Sequence, residues 1–195
     1  MSQNKMKIGV LALQGDFKEH SIALNKLGIT AVEVRKPSDL KDVSGLILPG
    51  GESTTISKLL KTSHLDAAIA ERSRKGLPIY GTCAGAIILA KKITDSTIPT
   101  LGLLDVEIAR NNYGRQIDSF EAKLNVESLG NVEGVFIRAP IIKQVFNGAK
   151  ILAEFDGNPV MLQDKNILIT TFHPELTDDT KVHEYFLNMV KKRIN

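Results

Sequence analysis

A single cysteine, Cys83, stands among 195 residues, so no intramolecular disulfide can form and a reducing compartment is expected. No apolar run approaches the roughly 18 residues of a membrane-spanning helix, and the lysine-bearing N-terminus has no apolar segment of signal-peptide length. The expectation is a soluble, cytoplasmic chain with no membrane partner. Charge of neither sign accumulates: 25 basic residues are scattered among 22 acidic ones, for a formal charge of +3, and no basic stripe marks a nucleic-acid surface. The one basic cluster, Lys191-Lys192-Arg193, falls at the end of a predicted helix, where positive charge complements the dipole. With no second cysteine and no histidine pair at ligand spacing, neither a metal nor a cofactor is expected. Repeats, low-complexity tracts and linkers are also missing. At 43% hydrophobic and 24% charged residues, the chain reads as one globular domain over residues 1–195.

What is present begins with a buried-strand pattern. Ile8-Gly9-Val10-Leu11-Ala12-Leu13 is a nearly continuous apolar run, as in a strand covered on both faces of a parallel sheet. Phe17 to Leu27 reads as an amphipathic helix stopped by Gly28. Thr30 to Val34 and Gly45 to Leu48 read as strands, and helices are predicted at about Thr54 to Lys61 and His64 to Lys75. The alternation predicts an α/β fold, a three-layer, flavodoxin-like and mostly parallel sheet with helices on both faces. From Leu103 to Phe172 the texture changes to short runs of period two, at Val106–Ile108, Ala122–Val126, Gly134–Ile137, Ile151–Phe155, Pro159–Leu162 and Ile167–Thr170. Asp156-Gly157-Asn158 is a hairpin turn between two of them. Antiparallel additions to the sheet, or a small side sheet, should result. A helix from about Asp178 to Arg193, with Val182, Tyr185, Phe186, Met189 and Val190 in one stripe, closes the chain.

The cysteine sits where chemistry is easiest to build. Leu77 to Tyr80 reads as a buried strand and Ala84 to Lys92 as a helix, with Gly81-Thr82-Cys83-Ala84-Gly85 between them. Glycine two residues before and two after a nucleophile on a strand-to-helix turn is the nucleophile-elbow pattern, here with cysteine for serine. The glycines are expected to answer a tight turn and positive φ, and the amides and dipole of the following helix favour a thiolate.

Two more motifs end predicted strands, the edge at which open α/β sheets place ligands. Pro49-Gly50-Gly51-Glu52-Ser53-Thr54-Thr55 carries paired glycines whose amides can cradle an oxyanion or carboxylate. No Gly-Lys-Ser/Thr follows, which excludes a Walker loop; the structural alternative is a tight turn with Ser53 or Thr54 as N-cap. In Thr171-Phe172-His173-Pro174-Glu175 the proline favours an extended His173, and residues two apart then project to one side. Glu175 can orient His173 while its other nitrogen addresses a nucleophile. His20, His64 and His183 lie in predicted amphipathic helices and read as surface or boundary residues. The set points to acyl transfer: Cys83 as nucleophile, His173 as base and then acid, Glu175 as orienter, and amides of Ala84 and the Gly50-Gly51 loop, with Gly51 as its donor, as oxyanion hole.

In this order, Pro49-Gly50-Gly51-Glu52, Gly81-Thr82-Cys83-Ala84-Gly85 and His173-Pro174-Glu175 resemble a class I (triad) glutamine amidotransferase. Leu13-Gln14-Gly15, Arg110-Asn111-Asn112-Tyr113-Gly114-Arg115-Gln116 with Ser119-Phe120, and Phe136-Ile137-Arg138-Ala139-Pro140 narrow the likeness to the glutaminase subunit of pyridoxal 5′-phosphate synthase, the PdxT/SNO family, over essentially the whole chain. The resemblance implies hydrolysis of L-glutamine through a thioester on Cys83, and glutamine-binding residues at Gly51, Glu52, Ser53, Arg110, Ile137 and Arg138. Arg110 and Glu52 also offer charges complementary to the α-carboxylate and α-amino group of glutamine. It implies a partner too: a barrel-type synthase subunit in a large hetero-oligomer, a double ring with one glutaminase on each synthase, whose docking completes the oxyanion hole. Two alternatives stay open, the glutaminase of a histidine- or purine-pathway amidotransferase and a non-catalytic redox sensor built on Cys83. The His-x-Glu pair argues against the sensor, which needs no oriented base.

Overall fold

The computed structural model describes residues 6–94, 96–110 and 119–194. Its first half runs β1 (Lys7–Leu11), α1 (Phe17–Lys26), β2 (Thr30–Val34), β3 (Gly45–Leu48), α2 (Ser53–Thr62), α3 (Leu65–Arg74), β4 (Ile79–Thr82) and α4 (Ala84–Leu89). The second half adds β5 (Ala90–Ile93), β6 (Leu104–Ala109), β7 (Ser119–Val126), β8 (Gly130–Ile137), β9 (Ile141–Val145), β10 (Lys150–Phe155), β11 (Asn158–Asp164), β12 (Ile167–Thr170) and α5 (Lys181–Ile194). The main sheet has the order β10-β11-β12-β4-β3-β1-β2. Its strands from β12 to β2 are mutually parallel, and β11 and β10 extend it antiparallel. A side sheet β5-β6-β9 and the hairpin β7-β8 complete the described strands. No helix among the described residues is long and apolar enough to cross a membrane.

Every residue of β3, β4 and β12 is buried, because successive side chains enter cores on opposite faces. On one face Leu46, Leu48, Ile79 and Ile169 pack with Ile56 and Leu60 of α2 and Ile69 of α3. On the other Ile47, Tyr80 and Leu168 meet Leu24 of α1 and Phe186 and Val190 of α5. Helices therefore cover both faces, as the apolar runs require.

Several elements differ from expectation, among them the strand before Cys83, which runs Ile79–Thr82 instead of Leu77–Tyr80. The helix after Cys83 stops at Leu89 instead of reaching Lys92: the carbonyls of Ile88 and Leu89 accept the amides of Leu101 and Leu103 at 2.8 and 3.0 Å, and Ala90 turns extended to start β5. The unforeseen β9 shows only Ile141 and Ile142 buried, too short an apolar signal to stand out. The last helix begins at Lys181, not Asp178, since Thr177 Oγ1 and Asp179 Oδ1 take the amides of Asp179 and Lys181 and hold a turn ahead of it. The Asp156-Gly157 turn is as expected, with φ of 49° and 71° at its two residues, the handedness of a tight hairpin.

Candidate active site

β12, β4, β3 and β1 are neighbours, and Thr170 pairs with Thr82 and Leu48 with Gly81. Their C-terminal ends therefore deliver His173 to Glu175, Cys83, Pro49 to Glu52 and Gln14 to Asp16 to one edge of the sheet, where such folds hold ligands.

At the elbow, Cys83 itself carries the unusual backbone, φ 47° and ψ −103°, a conformation that costs about 1–3 kcal/mol for a residue other than glycine. It is over-determined by its neighbours: Cys83 N–H donates to the Thr170 carbonyl at 2.9 Å and Ile87 N–H to the Cys83 carbonyl at 3.2 Å. Gly81 and Gly85 are not in the positive-φ region, contrary to the expectation that the flanking glycines supply it. They are required for close approach. A Cβ on Gly85 would collide with the Leu48 carbonyl oxygen, and one on Gly81 would lie 2.8 Å from the Gly85 carbonyl oxygen.

His173 and Glu175 meet, but through a different local structure. Pro174 opens a short 3-10 turn, Pro174–Leu176, instead of an extended run, and the turn brings Glu175 Oε1 within 2.8 Å of His173 Nδ1. His173 is 4% and Glu175 6% exposed. The Cys83 side chain lies close enough to the same ring to favour its protonated form, and Nδ1 is engaged by Glu175. Burial opposes protonation of His173, but the hydrogen bonds and charges of Cys83 and Glu175 prevail and raise it above the usual 6.5. Burial raises the Glu175 carboxyl, against the lowering effect of its bond to His173. Asp16, which sequence reasoning did not single out, places Oδ2 3.5 Å from His173 Nδ1. Asp16, His173 and Glu175 offer ligand atoms within 4.8 Å of one another, and His173 and Glu175 are hydrogen-bonded directly to each other.

A cleft of about 450 Å³ opens over Cys83 and is lined by Gly51, Glu52, Ser53, Ala84, Arg110, Ile137, Arg138 and His173, joined by Gln14, Asp16 and Ile87. All the site residues named from sequence except Glu175 thus line one cavity, with Glu175 buried behind His173. Gln14 Oε1 accepts the Glu52 amide at 2.8 Å and Asp16 N–H donates to the Gly50 carbonyl at 3.1 Å, so the loop after β1 clasps the glycine loop. Glu52, rather than Ser53 or Thr54, is the N-cap of α2, accepting the amides of Thr54 and Thr55. The Thr55 hydroxyl and these amides hold its carboxyl down to about 2. Arg110 reaches Glu52 Oε1 at 3.4 Å and Ser96 Oγ at 3.1 Å. The amide of His173 donates to the Val135 carbonyl at 2.8 Å, which ties β8 to His173 and carries Ile137 and Arg138 to the cleft. Asn111 to Gln116 lie outside the described residues. A larger groove of about 680 Å³, lined by Pro78, Lys165, Asn166, Met189 and Lys192 among others, contains neither cysteine nor histidine and offers no acid–base pair.

His20 and His183 are corrections. Both are fully buried, whereas His64 is exposed as expected. The signal was present: His20, Ala23, Leu24 and Leu27, like His183, Phe186, Leu187 and Val190, follow the three-four spacing of an apolar helix face. Burial lowers His183 from 6.5 to about 4, so between these pH values the unfolded chain binds a proton that the folded chain does not. Stability should therefore fall as pH drops through this window, by about 3 kcal/mol from His183 alone. Denaturant titrations across the window should show a shallower slope for His183→Asn; an unchanged slope would contradict the assignment.

The profile of the SNO glutamine amidotransferase family matches residues 10–192. The pyridoxal 5′-phosphate synthase subunit PdxT of Desulforamulus reducens is 50% identical over 188 residues, covering 95% of this chain and 100% of that protein. Its counterpart from Thermosipho africanus is 46% identical over 188 residues, covering 96% and 100%. Among solved structures, a glutamine amidotransferase superposes with a TM-score of 0.92 at 48% identity, over 94% of this chain and 98% of that one. PurLQS from Thermotoga maritima, at 0.70 and 19% identity over 94% and 98%, shares the fold.

Proposed function

Since the chain belongs to the SNO glutamine amidotransferase family, we propose that it hydrolyses L-glutamine to L-glutamate and ammonia as the glutaminase subunit of pyridoxal 5′-phosphate synthase, with Cys83, His173 and Glu175 as its catalytic residues. The observation that carries this reading is the buried His173–Glu175 hydrogen bond beside Cys83, in the cleft that Cys83, His173 and Arg110 line together.

In this mechanism His173 takes the thiol proton of Cys83, the resulting thiolate attacks the γ-carboxamide carbon, and the new C–S bond pushes the carbonyl electrons onto oxygen. The amides of Ala84 and Gly51 receive that oxyanion. Ala84 opens α4, where the amide has no partner in the preceding turn. The Gly50 carbonyl is engaged by Asp16, and peptide planarity directs the Gly51 N–H away from that contact. His173 gives its proton to the leaving nitrogen, ammonia departs, and a thioester is left on Cys83. His173 then takes a proton from water, hydroxide attacks the thioester, and glutamate leaves as the thiolate returns. Glu175 keeps the Nδ1 proton in place, so Nε2 carries out both transfers.

Glu52 is engaged in capping α2 and with Arg110, which supports reading Arg110 as the partner of the α-carboxylate of glutamine, beside Ser53, Ile137 and Arg138. Arg110→Ala should raise KM roughly 10- to 100-fold, the scale of one charge-assisted hydrogen bond, with a much smaller change in kcat. Steady-state ammonia release against glutamine concentration measures the split, and a loss confined to kcat would move Arg110 out of the binding role.

The synthase that takes up the ammonia is a separate, barrel-type subunit in a cytoplasmic hetero-oligomer, a double ring of synthase subunits with one glutaminase on each. Its docking completes the oxyanion hole. Ammonia release with and without that subunit tests the assignment: strong activation supports it, and full activity of the isolated chain overturns the dependence. The relatives' names support this pathway over the histidine and purine ones.

A further inference from the structure

A buried pair of histidines that the reaction itself does not use stands beside the catalytic carboxylate. His20 projects from α1 and His183 from α5, both with no exposure, an unusual setting for two imidazoles. His20 Nδ1 lies 3.0 Å from His183 Nε2. His20 Nε2 lies 3.1 Å from Thr82 Oγ1 and 3.5 Å from Glu175 Oε1. That oxygen is the one bonded to His173 Nδ1. Glu175 Oε2 is buried with no hydrogen-bond partner among the described residues, so the side-chain contacts that orient the carboxylate act through Oε1. The Tyr80 ring stands edge-on to both histidines, at interplanar angles of 86° and 83°, and limits their rotation.

These contacts determine where the protons are. Were Nε2 of His20 unprotonated, its lone pair would face the carboxylate oxygen, and Nδ1–H would donate to His183 Nε2. His183 would then carry its own proton on Nδ1, which is buried with no acceptor among the described residues. The opposite assignment satisfies the set: His183 Nε2–H donates to His20 Nδ1, His20 Nε2–H donates to Thr82 Oγ1 with Glu175 Oε1 3.5 Å away, and the unpartnered His183 Nδ1 is only a bare acceptor. Burial keeps both rings below their ordinary pKa and therefore neutral near pH 7, and repulsion from the neighbouring imidazoles of His183 and His173, were they protonated, adds to the effect at His20.

We propose that His20 is a positioning residue for the catalytic carboxylate, with His183 fixing its tautomer, so that the site is a chain from Cys83 through His173, Glu175 and His20 to His183. His20 supplies Oε1 with an N–H from the side opposite in role to His173: one orients the carboxylate, the other is oriented by it. The same N–H fixes Thr82, the residue before the nucleophile. The inference rests on the catalytic reading of Cys83, His173 and Glu175 given above.

Two measurements test it. Nitrogen NMR of the imidazole rings in the wild-type chain needs no activity, and should show His20 and His183 as neutral Nε2–H tautomers; an Nδ1–H tautomer at His20 overturns the proposal. Kinetics in the complex with the synthase subunit then separate positioning from packing. Glutamine places its amide nitrogen near the Nε2 position and asparagine near Nδ1, so His20→Gln should retain most of kcat. His20→Asn should lose roughly 10- to 100-fold with KM unchanged, the scale for outer partners that orient an active-site ligand. Its acidic limb should also move to higher pH, because a carboxylate with one N–H donor fewer takes up a proton more readily. Equal losses in the two variants with an unmoved pH profile would reduce His20 to a packing residue and overturn the proposal. If neither variant folds, the tautomer measurement decides. A wild-type complex that releases no ammonia from glutamine would instead sink the glutaminase reading, and the tautomers would still be measurable.

Discussion

Cys83→Ala is expected to lower kcat for ammonia release from glutamine by roughly ten-thousandfold or more, in the presence of the synthase subunit. The size follows from what is lost. Without the sulfur no thioester forms, and His173 has only water to activate against an unstrained amide. Binding is a separate matter, because Arg110, Glu52 and Ser53 line the cleft independently of the thiol. Calorimetry should therefore find glutamine affinity within a few-fold of wild type, since no charged contact is removed. Intact-mass measurement on the wild type under turnover should detect the acyl-enzyme, and the variant should show none. Activity surviving in Cys83→Ala would remove the cysteine from the mechanism.

Gly85→Ala carries the largest expected loss of stability. The α4 helix approaches β3 so closely that a Cβ on Gly85 would meet the Leu48 carbonyl oxygen, and backbone cannot rotate aside as a side chain can. The methyl must push α4 away from the sheet, beside Cys83. Overpacking at such a contact costs about 3 kcal/mol or more, and in a chain of this size that is a fall in Tm of roughly 6–12 °C. Glutaminase activity should fall with it, because Leu48 leads into the Gly50-Gly51 loop. A calorimetric scan with an unchanged Tm would show that the approach yields without strain.

The parts of the fold that were legible in advance are those whose signal is local. β1, β3, β4 and β12 are covered on both faces, so each is a continuous apolar run, and the hairpin at Asp156-Gly157 announces itself by residue type. β5 and β9 pair only in a side sheet and expose about half their length; their existence depends on pairing with β6, and a pairing is not a local pattern. The active site divides in the same way. Cys83 between two glycines and His173 two residues before Glu175 are contiguous motifs. Asp16 and Ser96 gain their meaning only from residues 157 and 14 positions away, His173 and Arg110. His20 was hidden by a general expectation about helical histidines, although its spacing with Leu24 placed it on the inner face; its partners are 62 and 163 positions distant. The Arg110 stretch shows the reverse limit, since its motif was readable while residues 111–118 lie outside the described structure.

The positive φ of Cys83 bears on how such a protein can be altered. Glycine would adopt that backbone without strain, so at position 83 the best residue for folding and the best residue for chemistry are different. Selection for solubility or heat resistance alone would act to replace Cys83, and only selection for turnover opposes it. Any effort to harden this chain by directed evolution therefore has to score ammonia release at every round, because the most thermally robust descendants include inert ones.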